Sequence, residues 1–259
     1  MAEIQAWEGP EARALDVLAI AAHRDDVEQT CGGALLRMAQ AGAACGILDL
    51  TRGEAGTRGD AAQRGREAAE AAAILRVAWR GNLALADGRL TSSLAARRKI
   101  AGVIRAVRPR LLIVPYPAAR HPDHAVAGRL GMEAAFAAGL KNLVLGVEAP
   151  AFRPHSVWYA SLYANRRPTV IVDITEQFPE RLRALRAYRS QYADQAAGAG
   201  IFPPAEDVAA RVEAMARTYG MMAGVRYGEP FISPTPIRAL DLRHLEADTF
   251  TQGGIITPY

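Results

Sequence analysis

Short apolar runs alternate with longer helix-forming stretches through the first 140 or so residues. Leu15–Ala22 is almost entirely apolar and breaks off at His23-Arg24-Asp25-Asp26. A run of that length with so abrupt a polar end predicts a buried strand. Residues 44–50 predict a second strand, Arg80–Leu85 a short third and Leu111–Val114 a fourth. Between them Ala34–Gln40, Gln63–Leu75, Ser93–Val107 and Ala125–Ala138 have helical character, the third stopping near Pro109. Strands alternating with helices predict an α/β fold, a Rossmann-like and mostly parallel sheet with helices on both faces.

After about residue 150 the pattern changes. Ser156–Tyr163 and Thr169–Ile174 suit strands, and Glu180–Tyr192 and Glu206–Tyr219 suit helices. There is no internal repeat and no low-complexity linker. The chain therefore reads as one domain over 1–259, with residues 1–13 a loose leader and a C-terminal strand and helix extension packed on the first layer.

Composition narrows the class of protein. A chain of 259 residues, half of them hydrophobic, can bury a large core without disulfides or a structural metal, so a bound metal is expected to be catalytic. The net charge is only +4, and its arginines are scattered, which argues against a nucleic-acid partner. Two cysteines, Cys31 and Cys45, are too few for a disulfide framework and suit buried thiols in a reducing cytoplasm. Leu15–Ala22 is too short to span a bilayer and lacks a signal-peptide layout, so no membrane partner is expected.

The chemistry-bearing residues fall in two clusters, each just beyond a predicted strand. One is His23-Arg24-Asp25-Asp26-Val27-Glu28; the other, in the loop after the fourth strand, is Arg120-His121-Pro122-Asp123-His124. Open parallel sheets bind ligands beyond the carboxyl ends of their strands, so neighbouring strands would aim both clusters into one crevice. A catalytic zinc takes a few nitrogen and oxygen ligands and keeps a position open. One imidazole and one carboxylate from the first cluster, with one imidazole from the second, would supply them. A remaining carboxylate and imidazole would serve as base and oxyanion support for amide hydrolysis. Singly, each cluster has a bland alternative: an Asp-Asp pair can cap a helix, and His-x-x-His is often an ordinary loop pair. Their joint placement at strand ends favours a metal site.

At these residues the sequence resembles the LmbE-like (PIG-L) family of zinc-dependent N-deacetylases. The family's (A/P)-H-P-D-D-x-E motif reads Ala22-His23-Arg24-Asp25-Asp26-Val27-Glu28, and its H-P-D-H is intact at His121–His124. The likeness extends through Cys31-Gly32-Gly33, Asp49–Glu54 with Gly56–Gly59, Asp87-Gly88, Pro115-Tyr116, Tyr188–Tyr192 and Tyr227–Phe231. It looks closest to the bacillithiol-biosynthesis branch, which deacetylates N-acetylglucosaminyl-malate.

The resemblance implies a role for each matching residue. His23, Asp26 and His124 match the ligands of one zinc ion, with other divalent metals able to occupy the same donors. Asp25 matches the general base. His121 matches the imidazole that stabilises the tetrahedral intermediate, and Asp123 would orient a neighbouring imidazole. Arg64 and Arg120 match positions that hold the anionic aglycone, for which a guanidinium fork suits a carboxylate. A small N-acetylated amino sugar is the implied partner, and a homotrimer or hexamer the implied assembly. Competing substrates are a mycothiol-type inositol glycoside or another thiol conjugate. A sugar- or nucleotide-binding module without turnover is a further alternative, but it leaves the His/Asp constellation unexplained.

Two departures stand out. Arg24 replaces the usual Pro, with a side chain expected to reach solvent, and Gln29-Thr30 replaces the branch's Leu-Gly. Glu28 is expected to bond within the first loop. Glu54 and Gln191 are weaker site candidates, and His155 and His244 lie outside both clusters. The glycines at 53, 56 and 59 do not have the spacing of a phosphate-binding loop.

Overall fold

The computed structural model describes residues 7–161, 167–192 and 205–238. In chain order the elements are β1 (Val17–Ala21), α1 (Asp26–Thr30), α2 (Gly32–Gln40), β2 (Cys45–Thr51), α3 (Ala61–Ile74), β3 (Trp79–Leu85), α4 (Leu94–Val107), β4 (Leu111–Pro115), α5 (Pro122–Ala138), β5 (Ser156–Ala160), β6 (Val170–Asp173), α6 (Phe178–Arg186), α7 (Arg189–Tyr192), α8 (Ala205–Met222) and β7 (Gly228–Ile232). Seven strands form one sheet in the order β3-β2-β1-β4-β5-β7-β6. The first five in that order are parallel, and β7 runs antiparallel between β5 and β6.

Every residue of β1 and β2 is buried, as a parallel sheet covered on both faces requires. Successive side chains of β1 enter opposite cores: Leu18 and Ile20 pack with α4 and α5, whereas Val17, Ala19 and Ala21 pack with α2, α6 and α8. Leu18 is fully buried, and truncating such a side chain to Ala costs about 2–5 kcal/mol.

The chain runs outward from β1 through β2 to β3, then returns to place β4 on the other side of β1. The order therefore switches between β1 and β4, and the segments leaving their carboxyl ends diverge around a crevice. Both His/Asp clusters lie on those two segments.

Three sequence expectations are corrected. The strand β7 was not expected, because Gly-Glu-Pro-Phe-Ile has poor strand character; Pro230 is tolerated because the β5 ladder reaches only Phe231 and Ile232. The helix expected over Glu180–Tyr192 divides into α6 and α7 around Ala187-Tyr188. The predicted strand Ser156–Tyr163 ends at Ala160, and residues 162–166 and His244 lie outside the described residues. In the leader, the Glu8 backbone forms two hydrogen bonds with Asn82 at the β3 edge, and Trp7 meets Trp79 edge-on.

Glu229 of β7 shows what the C-terminal segment does for the first layer. Its two carboxylate oxygens accept from the Gly33 and Ala34 amides at 2.8 and 2.6 Å, and Arg181 donates to it at 2.9 Å. These amides open α2 and have no partner within the helix. Gly33 is needed there because a Cβ would lie 2.9 Å from Glu229 Oε1 and from Ile174.

Candidate metal centre and its pocket

The segment after β1 turns sharply at His23 and enters α1 at Asp26. Asp25 occupies the N-cap position, yet its side chain makes no capping bond. The Asp26 carboxylate instead accepts the His23 amide on Oδ2 at 2.8 Å. Both carboxylates are thus turned away from the helix-capping role. From beneath, the Arg24 carbonyl accepts from Arg80 and from the Tyr188 hydroxyl. Arg80 is in turn paired with Asp49 and Glu28, each at 2.8 Å, in a buried network. The backbone of the loop is held by groups from β3 and the α6–α7 junction.

The second cluster is not a loop, as the sequence suggested. α5 begins at Pro122, favoured at a first helical position because its missing N–H would be unpaired anyway. His121 is the N-cap, and its Nδ1 accepts from the Asp123 amide at 3.2 Å. His124 therefore rides on the first turn of α5 and points back to β1.

Three side chains meet there. His23 Nδ1 lies 3.2 Å from His124 Nε2, His124 Nε2 lies 3.0 Å from Asp26 Oδ1, and His23 Nδ1 lies 3.6 Å from Asp26 Oδ2. Ligands about 2.0–2.1 Å from a tetrahedral zinc would be separated by about 3.3–3.4 Å. The donor set fits a small dication in spacing and chemistry. His121 joins the group, its ring stacked on His124 with centroids 4.9 Å apart.

The other face of His23 is set by carboxylates. Nε2 lies 3.1 Å from Asp87 Oδ1 and 3.5 Å from Asp123 Oδ2. Asp123 also accepts the Gly88 and Leu90 amides. In the neutral, metal-binding form of the ring this favours the proton on Nε2 and leaves the Nδ1 lone pair toward Asp26 and His124. Asp87 was quoted from the sequence only within the family likeness and was not assigned to the site. The available signal was its place just past the third strand, on the same sheet edge as both clusters.

The field around His23 favours positive charge. Burial pulls its pKa down, but Asp26, Asp123 and Asp87 override this and push it up to about 12. Burial likewise opposes the charge on His124 and is outweighed by Asp26. Asp26, although buried, is held well below its ordinary value by His124 and His23. His121 moves the other way: burial and the two neighbouring imidazoles lower it, so it is neutral at pH 7. With Nδ1 accepting from the Asp123 amide, the proton of neutral His121 resides on Nε2.

Asp25 sits beside this group. Its Oδ1 accepts Arg64 Nη2 at 3.0 Å, and its Oδ2 accepts the Tyr192 hydroxyl at 2.6 Å and Gln29 Nε2 at 3.1 Å. Arg64, expected to hold a substrate carboxylate, lines the pocket but is buried, its Nη2 paired with Asp25 and its Nη1 donating to the Gly53 carbonyl. An interior carboxylate is costly without such a partner. Gly53 has φ +74°, and a Cβ there would overlap Arg64 Nη1, which accounts for the glycine. Arg120 is exposed on the rim.

A cavity of about 440 Å³ opens over the site, lined by His23, Asp25, Asp87, Tyr116, Arg120 and His121 among others. That volume is within the range of small-molecule pockets. Gln191 also lines it, its amide donating to the Arg58 carbonyl. Glu54 accepts from the Asp87 and Arg52 amides and ties two loops together. Arg24 does not reach solvent freely; it is half-buried, its Nη1 donating to the Ala61 carbonyl at 2.5 Å. Both cysteines are buried and free, and no described helix is long and apolar enough to cross a membrane.

The chain is similar to known proteins over most of its length. Residues 18–135 match the PIG-L family, described as GlcNAc-PI de-N-acetylase. A diacetylchitobiose deacetylase from Thermococcus kodakarensis is 34% identical over 227 residues, covering 82% of this chain and 80% of that protein. The crystal structure of the conserved protein TT1542 from Thermus thermophilus is similar with a TM-score of 0.79 at 39% identity, covering 87% of this chain and 97% of that one. That of N,N'-diacetylchitobiose deacetylase from Pyrococcus horikoshii, complexed with its inhibitor MPG, has a TM-score of 0.73 at 29% identity, covering 83% and 82%.

Proposed function

The chain belongs to the PIG-L family of N-deacetylases, and from that premise we propose that it is a zinc-dependent hydrolase that removes the acetyl group from an N-acetylglucosaminide. The observation that carries this reading is the triangle of His23, Asp26 and His124, with edges of 3.0–3.6 Å, standing beside the carboxylate of Asp25. These three residues would hold the metal. When bound, the dication supplies Lewis acidity, acidifying water and polarising a carbonyl.

The remaining roles follow from this chain's own groups. Asp25 takes a proton from water as its oxygen forms a bond to the acetamide carbon. The carbonyl π pair moves to oxygen, where the Nε2–H of neutral His121 meets the developing charge. The oxyanion's pair re-forms the carbonyl as the C–N bond breaks, and nitrogen takes the proton held by Asp25, while His121 stays neutral and keeps its Nε2–H on the oxygen. The products are acetate and a free amine. Asp87 and Asp123 keep the His23 ring in the tautomer that leaves Nδ1 unprotonated.

The substrate expected from the bacillithiol branch relied on Arg64 and Arg120 gripping a malate together. Arg64 and Arg120 both line the pocket, and with Arg64 paired to Asp25 the more exposed Arg120 would be the one to meet an anionic aglycone. A neutral N-acetylglucosaminide, such as the diacetylchitobiose named for two relatives, is the better-supported class. A cytoplasmic homotrimer or hexamer remains part of the proposal, with light scattering its test. Amine release from N,N'-diacetylchitobiose, N-acetylglucosaminyl-malate and simple N-acetylglucosaminides tests the substrate. Turnover of the first and loss of it in Asp25→Ala at normal zinc content are expected. Turnover of the malate glycoside alone would restore the bacillithiol assignment.

A further inference from the structure

The three donors on Asp25 divide unequally between its two oxygens. A carboxylate oxygen offers two lone-pair sites. Oδ2 fills both, one with the Tyr192 hydroxyl and one with the Gln29 amide; among the described residues Oδ1 fills one with Arg64 and keeps the other. The torsion that would exchange the two oxygens is soft and roughly two-fold when unrestrained. Here it is restrained from two elements: Gln29 stands one turn along α1, and Tyr192 closes α7 from the far end of the chain.

We propose that Tyr192 and Gln29 are positioning residues that saturate Oδ2 and thereby designate Oδ1 as the atom that accepts the proton. The proposal rests on Asp25 acting as the general base. Water's O–H bond breaks, the proton goes to the remaining lone pair of Oδ1, and the electron pair left on water's oxygen forms the new C–O bond. Arg64, on the same oxygen, fixes the direction in which that lone pair points. The Tyr188–Tyr192 segment gains a function at its last residue as well: Tyr188 supports the loop backbone through the Arg24 carbonyl, and Tyr192 orients the side chain that follows it.

The test is steady-state kinetics of Tyr192→Phe, Gln29→Met and the double variant on N,N'-diacetylchitobiose, with metal content measured on each protein. Removing a hydrogen bond to a charged group should lower kcat about 10- to 100-fold for Tyr192→Phe and less for Gln29→Met. KM should stay within about twofold of wild type and metal content should be unchanged, the signature of a contribution made in the transition state. A wild-type kcat in Tyr192→Phe, a raised KM at constant kcat, or a loss of kcat in parallel with lost metal would each overturn the proposal. If Tyr192→Phe does not fold, Gln29→Met tests the same oxygen, and an unchanged kcat there overturns it. A wild-type protein that releases no amine from any acetamido sugar would remove the deacetylase reading and this proposal with it, whereas failure of the variants alone leaves that reading intact.

Discussion

Asp87 Oδ1 lies 3.1 Å from His23 Nε2, on the side of the ring opposite Asp26 and His124. This contact brings a residue outside both sequence clusters to the candidate metal site. Carboxylates behind a ligating imidazole commonly contribute 10- to 100-fold in metal affinity. Asp87→Ala is therefore expected to weaken zinc binding by about that factor, as measured by competition with a chelating dye. Asp123 still faces Nε2 in that variant, so binding should be weakened and not abolished. An unchanged affinity would remove Asp87 from the site.

Metal binding should expel protons. In the metal-free protein His23 is raised from its ordinary 6.5 to about 12, with burial opposing the shift and the surrounding carboxylates prevailing. A histidine raised on folding stabilises the metal-free fold fully below 6.5, and that contribution is lost as pH rises through about 12. A metal needs the Nδ1 lone pair, so the metal-loaded state follows the opposite trend. At pH 7.5, calorimetry in buffers of different ionisation enthalpy should show at least one proton released per metal bound. Apparent affinity should tighten about tenfold per pH unit for each proton displaced. Binding independent of pH would contradict the role of His23.

Gly53→Ala tests the seat of Arg64. The new methyl would collide with Arg64 Nη1 and would occupy a backbone with φ +74°. The left-handed backbone alone costs a non-glycine residue about 1–2 kcal/mol. Displacing the guanidinium also removes the cationic partner of Asp25. A fall in kcat of more than about tenfold, with the protein still folded by circular dichroism, is the expected result.

Glu229→Ala should be among the more damaging single changes outside the pocket. It strips α2 of its two amide acceptors and leaves Arg181 buried with less compensation. Breaking one side of a buried pair costs about 3–5 kcal/mol, which urea unfolding of the metal-free protein would register. Glu229→Gln, which keeps one acceptor oxygen, should lose less. Equal stability of all three proteins would show that the cap carries little energy.

Much of the framework is legible in the sequence because it is local. The apolar runs at Leu15–Ala22 and Leu111–Val114 became β1 and β4, and their polar ends marked the crevice. The clusters at 23–26 and 121–124 could be found because each is contiguous. What was hidden depends on distant partners. Arg64 reads in the sequence as an anion-binding fork, and its pairing with Asp25 and the Gly53 carbonyl is visible only in the fold. Asp87 had no neighbouring histidine in the sequence and acquired one only when β3 lined up two strands away from β1. β7 was concealed by Gly228, Glu229 and Pro230, each a poor strand residue; Glu229 earns its place against α2, far away along the chain.

The position of β7 has a consequence for the order in which the molecule assembles. It enters the sheet between β5 and β6, two strands synthesised before it, so β6 has no native strand partner until β7 is made. The three candidate metal ligands, His23, Asp26 and His124, emerge early, Tyr192 later, and Glu229 later still. A nascent chain can therefore present its donors to a cation before it can complete its sheet or seat the carboxylate of Asp25. Sheet completion depends on contacts of long sequence separation, which form slowly. Acquisition of metal and acquisition of activity should thus be separable events in the life of one chain, with the second gated by the arrival of its last strand.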